Sequence, residues 1–298
     1  MSTSLALKYG AMIGTTVVLF TNFVACGAQM YQVSLREDHN PAQVAEGSDD
    51  PESQNFGLHA PGGWDKLPIK FRTGFKVENE QLSGLKSAMK TWEVAVGRTL
   101  FVYEGVHDNV DGDNFPDLYS SLKDSINGNY LDYSWQKTGK SKEVIATTIW
   151  TNNSGNANKI DSADIRFNEQ EYVIGDGLSL RKRDAREVVD MQTLALHELG
   201  HLLGLAHIDA ASDSSSIMNP KVYIGEGLTS RSLSRGDLER IQKIYGCQNA
   251  SCDLDKTARQ ISMMANDYSS KSSKSAKSTG STNSEKVEEE EGGSATTY

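Results

Sequence analysis

The run HELGHLLGLAH, residues 197–207, contains three histidines, a glutamate and two glycines at closely set spacing. His197 and His201 are four residues apart, so on an α-helix their side chains lie on one face and can point two imidazoles at a single metal ion. His207 is too far along the chain to join them from the same straight helix. Gly204 can end the helix in a backbone conformation that residues with a β-carbon adopt only at a cost, and the chain can then double back. The spacing therefore predicts three imidazoles around one ion.

Three neutral imidazoles are a ligand set that suits zinc, and they leave a fourth position for water, as in catalytic rather than structural zinc sites. Glu198 directly follows the first histidine, so its carboxylate is expected to reach that water rather than the metal. The predicted site therefore has His197, His201 and His207 as metal ligands, Glu198 as the catalytic residue and one Zn²⁺ as the cofactor.

The complete pattern H-E-x-x-H-x-x-G-x-x-H resembles the signature of the metzincin zinc peptidases. The downstream run SIMNP, residues 216–220, is similar to the methionine turn that lies beneath the metal in that group. The order of predicted elements over about residues 64–246 resembles the matrixin catalytic domain, and most of all its bacterial members. If the protein is an enzyme, the alternative family is an astacin-like metzincin. The last predicted helix and the residues before it, 233–246, favour a matrixin.

Apolar periodicity predicts the elements around this helix. Strands are predicted at residues 67–72, 100–103, 144–150 and 163–168, and helices at residues 80–96 and 191–203, with a last helix that ends at Gly246. Asp190 is the expected N-cap of the helix that carries the histidines. The resemblance implies an α+β, metzincin or zincin-like catalytic domain: a twisted mixed sheet of about five strands, a zinc-binding active-site helix and a C-terminal helix. It also implies that residues 163–168 form the edge strand of the cleft.

The N-terminus predicts export. Lys8 precedes an apolar run over residues 11–25 that is too short to span a bilayer but suits a secretory signal. Residues 23–26, FVAC, resemble a bacterial lipobox, which implies a signal peptide at residues 1–25 and a lipid on Cys26. The expected location is the bacterial cell envelope, as an outer-membrane lipoprotein. The alternative is an ordinary signal peptide, which would leave a secreted protein without lipid.

The remaining boundaries follow from composition. Residues 26–63 are rich in turn formers and acids and are interpreted as a tether. Residues 64–252 are predicted to form the metallopeptidase domain, and residues 253–298, dominated by Ser, Lys, Thr and Glu, a disordered low-complexity tail. Cys247 and Cys252 are close enough to form a disulfide in an oxidising compartment, with two free thiols as the alternative.

The chain has 298 residues and a net charge of −10, so it lacks the electrostatic footprint of a nucleic-acid-binding protein. The expected partners are a protein or peptide substrate and, through Cys26, a membrane; we expect a monomer. Residues 108–117 have the oxygen density of a Ca²⁺ loop without EF-hand spacing. Calcium there and a plain solvated turn both stay open.

The resemblance implies a zinc-dependent endopeptidase that hydrolyses extended protein substrates, with metal-activated water as nucleophile and Glu198 as general base. The alternative from another functional class is a metzincin-fold surface-binding module that no longer cleaves. The intact motif, with Glu198 present, argues against that alternative.

Overall fold

The computed structural model describes residues 31–34, 57–110, 126–182 and 184–278. The predicted signal peptide with Cys26, most of the acidic segment at residues 108–117, and residues 279–298 lie outside the described residues. The predictions made for those segments therefore stay predictions. None of the helices in the described ranges is long and apolar enough to cross a membrane.

Ten strands and four α-helices make up the described part of the chain. The strands are β1 (Tyr31–Ser34), β2 (Gly63–Trp64), β3 (Ile69–Gly74), β4 (Phe101–His107), β5 (Asn127–Asp132), β6 (Ala146–Asn153), β7 (Asn156–Asn168), β8 (Tyr172–Gly175), β9 (Glu187–Asp190) and β10 (Lys221–Ile224). The helices are α1 (Asn79–Val96), α2 (Met191–Leu202), α3 (Arg235–Tyr245) and α4 (Leu254–Ser278). Helix α2 carries the first two histidines of the motif.

Five long strands form a mixed sheet in the order β4-β3-β5-β7-β6. Only β6 runs antiparallel to its neighbour within this sheet. The short strand β2 pairs with β7 near its N-terminal end. The predicted α+β architecture, with a mixed sheet of about five strands, a histidine-bearing helix and a C-terminal helix, is confirmed.

The edge strand of the sheet differs from the prediction. Residues 163–168 belong to β7, which pairs with β6 on one edge and with β5 and β2 on the other. Strand β6 pairs with β7 alone among the described residues, so β6 is the edge strand instead. The prediction was wrong because it took the place of this strand from the family resemblance, whereas the position of a strand in the sheet depends on its pairing partners in this chain.

Helix α1 packs against α2 and closes the core behind the sheet. Its apolar residues recur at helical spacing, and Leu85, Met89, Trp92 and Val96 are all buried. The indole nitrogen of Trp92 donates a hydrogen bond to the backbone oxygen of Leu196 in α2 at 3.0 Å. Because Trp92 is completely buried, this bond holds α1 against the middle of α2.

Both ends of the domain contain more structure than the composition predicts. Strand β1 lies within the predicted tether and pairs antiparallel with β10. Helix α4 occupies much of the predicted tail, and its first turns pack on the core through Ile261, which is buried, and Leu254. The predicted disulfide between Cys247 and Cys252 is confirmed; it closes the turn that leads from α3 to α4.

Candidate metal centre

The three histidines of the motif converge. The Nε2 atom of His201 lies 3.0 Å from that of His197 and 3.2 Å from that of His207, and the third side of this triangle measures 3.3 Å. In the described part of the chain, these residues form the group of His, Cys, Asp or Glu side chains placed to hold a metal ion. Two of the three rings are buried and the third is half-buried.

The other ring nitrogens determine the tautomers. Nδ1 of His197 lies 2.7 Å from the backbone oxygen of Ile217, and Nδ1 of His201 lies 2.8 Å from that of Leu205. A carbonyl oxygen can only accept, so each Nδ1 carries the hydrogen and each Nε2 presents a lone pair. Backbone carbonyls often orient metal-binding imidazoles in this way. Lone pairs that meet at about 3 Å repel each other unless a cation lies between them.

The size of the triangle fits zinc. Zinc–imidazole bonds of about 2.0–2.1 Å in tetrahedral geometry place the ligand nitrogens about 3.3 Å apart. The observed separations of 3.0–3.3 Å are close to this value. A catalytic zinc ion has three protein ligands and a fourth coordination position for water or substrate, and three neutral imidazole nitrogens meet that requirement.

A turn at Gly204 brings the third histidine back to the first two, as predicted. Gly204 has a φ of 105°, and a β-carbon there would lie 2.6 Å from the backbone oxygen of Ala60, so both conformation and space require glycine. The oxygen of Gly204 accepts hydrogen bonds from the backbone nitrogens of His59 and Ala60. Gly57 accepts another from Ala206. Residues 57–60, within the predicted tether, therefore hold this turn.

These contacts bear on where the folded domain begins. His59 also donates from Nε2 to the backbone oxygen of His201 at 2.7 Å, and its ring stacks on Trp150 of β6. A segment that contacts a metal-ligand residue and the edge strand acts as part of the domain. We therefore propose that the domain includes Gly57 and does not start at Trp64.

The predicted methionine turn lies directly beneath the site. Met218 is completely buried, and its sulfur fills the space that a β-carbon on Gly200 of α2 would need. Glycine at position 200 therefore lets Met218 pack directly against α2. The neighbouring Ile217 supplies the carbonyl that orients His197. Asp237 of α3 holds this turn through bonds from Ser216 Oγ at 2.6 Å and Ile217 N at 2.9 Å. The LSxxD run at residues 233–237 thus positions a metal ligand.

Glu198 is almost fully buried, with 2% of its surface exposed. Its Oε2 atom accepts a hydrogen bond of 2.6 Å from the hydroxyl of Thr148 in β6. The backbone oxygen of Glu198 lies 3.1 Å from the same hydroxyl. The edge strand therefore contacts the carboxylate that the sequence assigns to catalysis.

A cavity of about 330 Å³ opens beside His197. Its walls come from the first turns of α2, the segment before Met218, strand β10 and residues 228–230. The lining includes the apolar side chains of Leu194, Ile217, Val222 and Leu228 together with several Ser and Thr hydroxyls. A volume and lining of this kind suit one amino-acid side chain.

The wall of this cavity is tied to the helix by a buried ion pair. Arg231 donates from Nε to Asp190 Oδ2 at 2.9 Å and from Nη2 to Asp176 at 2.5 Å. Asp190 is also the N-cap of α2, accepting from Thr193 N at 2.9 Å, which confirms the predicted cap. Burial lowers the pKa of Arg231, but the two carboxylates outweigh it and hold that pKa above its ordinary value.

The structure thus brings together every predicted ligand and places Glu198 in the same buried region. The sequence did not point to Thr148, His59 or Arg231, whose roles depend on contacts between distant segments. Asp237 could have been found, because it lies within residues 233–246, which favour a matrixin over an astacin-like enzyme. The acidic segment at residues 108–117, for which a calcium loop and a solvated turn were both considered, lies largely outside the described residues.

Comparison with known proteins agrees with this site. Residues 132–246 match the family model of the matrixin peptidases. Metalloendoproteinase 5-MMP of Arabidopsis thaliana is 37% identical over 79 residues, which cover 26% of this chain and 21% of that protein. Matrilysin of Felis catus is 36% identical over 89 residues, covering 30% of this chain and 29% of that protein. Metalloendoproteinase 1 of Glycine max is 35% identical over 80 residues, covering 27% and 24% respectively.

The matched part of the chain spans less than a third of the length of each of these relatives. The residues that match the family model, 132–246, contain all three histidines, Glu198 and the methionine turn. The family match over residues 132–246 favours the matrixin of the two metzincin alternatives. The domain is a matrixin-like catalytic domain in which His197, His201 and His207 bind the catalytic zinc.

Proposed function

We propose that this chain, whose residues 132–246 match the matrixin family model, is a zinc endopeptidase that hydrolyses extended protein substrates. The observation that carries the proposal is the triangle of Nε2 atoms, with sides of 3.0–3.3 Å, formed beside a buried carboxylate on the same helix. A zinc ion with three imidazole ligands supplies a Lewis acid that polarises a carbonyl and makes water more acidic at neutral pH.

The chain's own residues then handle the proton. The Glu198 carboxylate takes a proton from the attacking water and delivers it to the amine of the departing peptide. Because Glu198 is buried, bulk water competes little for this carboxylate. The carbonyls of Ile217 and Leu205 keep the rings of His197 and His201 in the tautomer that a metal ligand needs.

The substrate would bind in extended form along β6. This strand pairs with β7 alone among the described residues, so its other edge can donate to and accept from a peptide backbone. The cavity beside His197 would hold the side chain that follows the scissile bond. Backbone pairing gives affinity for many sequences, and the cavity selects among them.

The function is tested by cleavage of casein. We expect the purified protein to fragment casein, 1,10-phenanthroline to stop cleavage, and added Zn²⁺ to restore it, because removing the ion removes the Lewis acid. Mass spectrometry of the products should show internal cuts rather than trimmed ends. A folded, zinc-loaded protein that leaves casein and a mixed peptide library intact would instead favour the non-cleaving binding module.

We also propose that the chain is exported to a bacterial envelope and anchored there by a lipid on Cys26. The support is the apolar run at residues 11–25 followed by FVAC. In a Gram-negative host grown with a palmitate analogue, the wild-type chain should be labelled and a Cys26→Ser variant should not. Unlabelled wild-type protein in the medium would favour the ordinary signal peptide.

A further inference from the structure

Thr148 offers the buried catalytic carboxylate a hydrogen bond from outside the metal-binding motif. Its hydroxyl lies 2.6 Å from Glu198 Oε2. This distance is typical of a short, charge-assisted O–H···O⁻ bond, which is stronger than a bond between neutral groups. Thr148 is itself 5% exposed, so little water competes for either partner.

The hydroxyl is held at this point by the sheet. Thr148 is in register with Ile165 of β7, which is in turn in register with Asn129 of β5. The side chain therefore has a rigid, paired strand behind it. A threonine in a strand also has few side-chain rotamers, because two heavy atoms branch from its β-carbon. The donor is in place before any substrate arrives.

The same hydroxyl lies 3.1 Å from the backbone oxygen of Glu198. It has one hydrogen and two acceptors within reach, and the shorter distance and the negative charge favour the carboxylate. One threonine thus contacts both the side chain and the main chain of Glu198. The hydrogen bond to the carboxylate restricts the rotation that would carry this group away from the attacking water.

We propose that Thr148 is a positioning residue, whose hydroxyl holds the Glu198 carboxylate in the orientation required to take the proton from water. The proposal rests on the endopeptidase function proposed above. Thr148 acts through Glu198. Its hydroxyl should therefore affect the chemical step more than substrate binding or zinc binding.

Thr148→Val is the test, because valine keeps the shape and strand preference of threonine and removes only the hydroxyl. We expect kcat on a peptide substrate to fall roughly 10- to 100-fold, as for other residues that orient catalytic groups. KM and the zinc content should stay at wild-type values. Thr148→Ser, which keeps the hydroxyl, should recover most of the lost rate.

Thr147→Val is the matched control. Thr147 is the neighbouring residue of β6, is equally buried, and its hydroxyl has no hydrogen-bond partner among the described residues. Its loss should leave kcat unchanged. Equal losses in the two valine variants, or in Thr148→Val and Thr148→Ser, would overturn the proposal, as would wild-type kcat or lost zinc in Thr148→Val.

A binding measurement separates this proposal from the proposed function. Acetohydroxamate is a zinc ligand whose hydroxyl can share a proton with a neighbouring carboxylate, so its affinity reports the placement of Glu198 without any turnover. Calorimetry should show weaker binding to zinc-loaded Thr148→Val than to wild type or Thr148→Ser. Equal affinities would overturn the role of Thr148, even if casein cleavage confirmed the enzyme.

Discussion

Replacing Glu198 with glutamine is expected to lower kcat roughly 100- to 10,000-fold, the range that a positioned general base contributes. Glutamine has nearly the same shape and can still accept the hydrogen bond from Thr148, but its amide cannot take a proton from water. The three imidazoles are unchanged, so zinc should stay at about one ion per chain. The measurement is the initial rate of peptide cleavage together with metal analysis of the same sample.

The control for this variant is Glu239→Gln. Glu239 lies on α3, is exposed and pairs with Arg235 on the surface, so the same chemical change should leave both rate and zinc content unchanged. Wild-type rates in Glu198→Gln would show that another group moves the proton. Loss of zinc in that variant would show that the carboxylate is a metal ligand instead.

The zinc site could be predicted because most of its geometry is local. His197 and His201 meet through the periodicity of one helix, and His207 returns because Gly204 permits a turn. The zinc-ligand set is thus encoded within eleven consecutive residues. The methionine turn was predicted for a different reason, through the resemblance of residues 216–220 to a known pattern.

The rest of the site depends on contacts between distant segments. Thr148 and Glu198 are separated by 50 residues, and no spacing rule connects a hydroxyl on one strand with a carboxylate on a helix. The same limit explains the misplaced edge strand, since the resemblance of residues 163–168 to a family strand does not determine which strands pair with it in this chain. Only the observed pairing identifies β6 as the edge strand among the described residues.

The C-terminal helix shows a second limit. Residues 253–298 were interpreted as one tail because serine and lysine dominate most of that segment. Its first part has apolar residues at helical spacing, including Leu254, Ala258 and Ile261, which pack on the core. Average composition over a long window concealed this short amphipathic start.

Replacing His201 with alanine is expected to have the other large effect. The variant keeps two of the three imidazoles and loses the one whose Nε2 atom lies nearest to both of the others. Two ligands bind zinc far more weakly than three, so the ion should leave on dialysis and cleavage should stop. Loss of a tightly bound ion also removes its contribution to folding, so Tm should fall below that of the zinc-loaded wild type.

His107→Ala is the matched control for this substitution. His107 contacts the hydroxyl of Tyr130 at 2.9 Å and is not one of the clustered histidines. Its removal should leave zinc and cleavage at wild-type values. Zinc loss in both variants would point to general unfolding rather than to the loss of a ligand.

The whole mechanism depends on three imidazoles, at residues 197, 201 and 207, that hold one zinc ion. The decisive test is metal analysis by mass spectrometry, on folded protein that is dialysed against metal-free buffer, given one molar equivalent of Zn²⁺ and freed of unbound metal. We predict about one zinc per chain for the wild type and below roughly 0.1 for His201→Ala. A folded wild-type protein that contains no transition metal and takes up none, or full zinc occupancy in His201→Ala, would contradict the account.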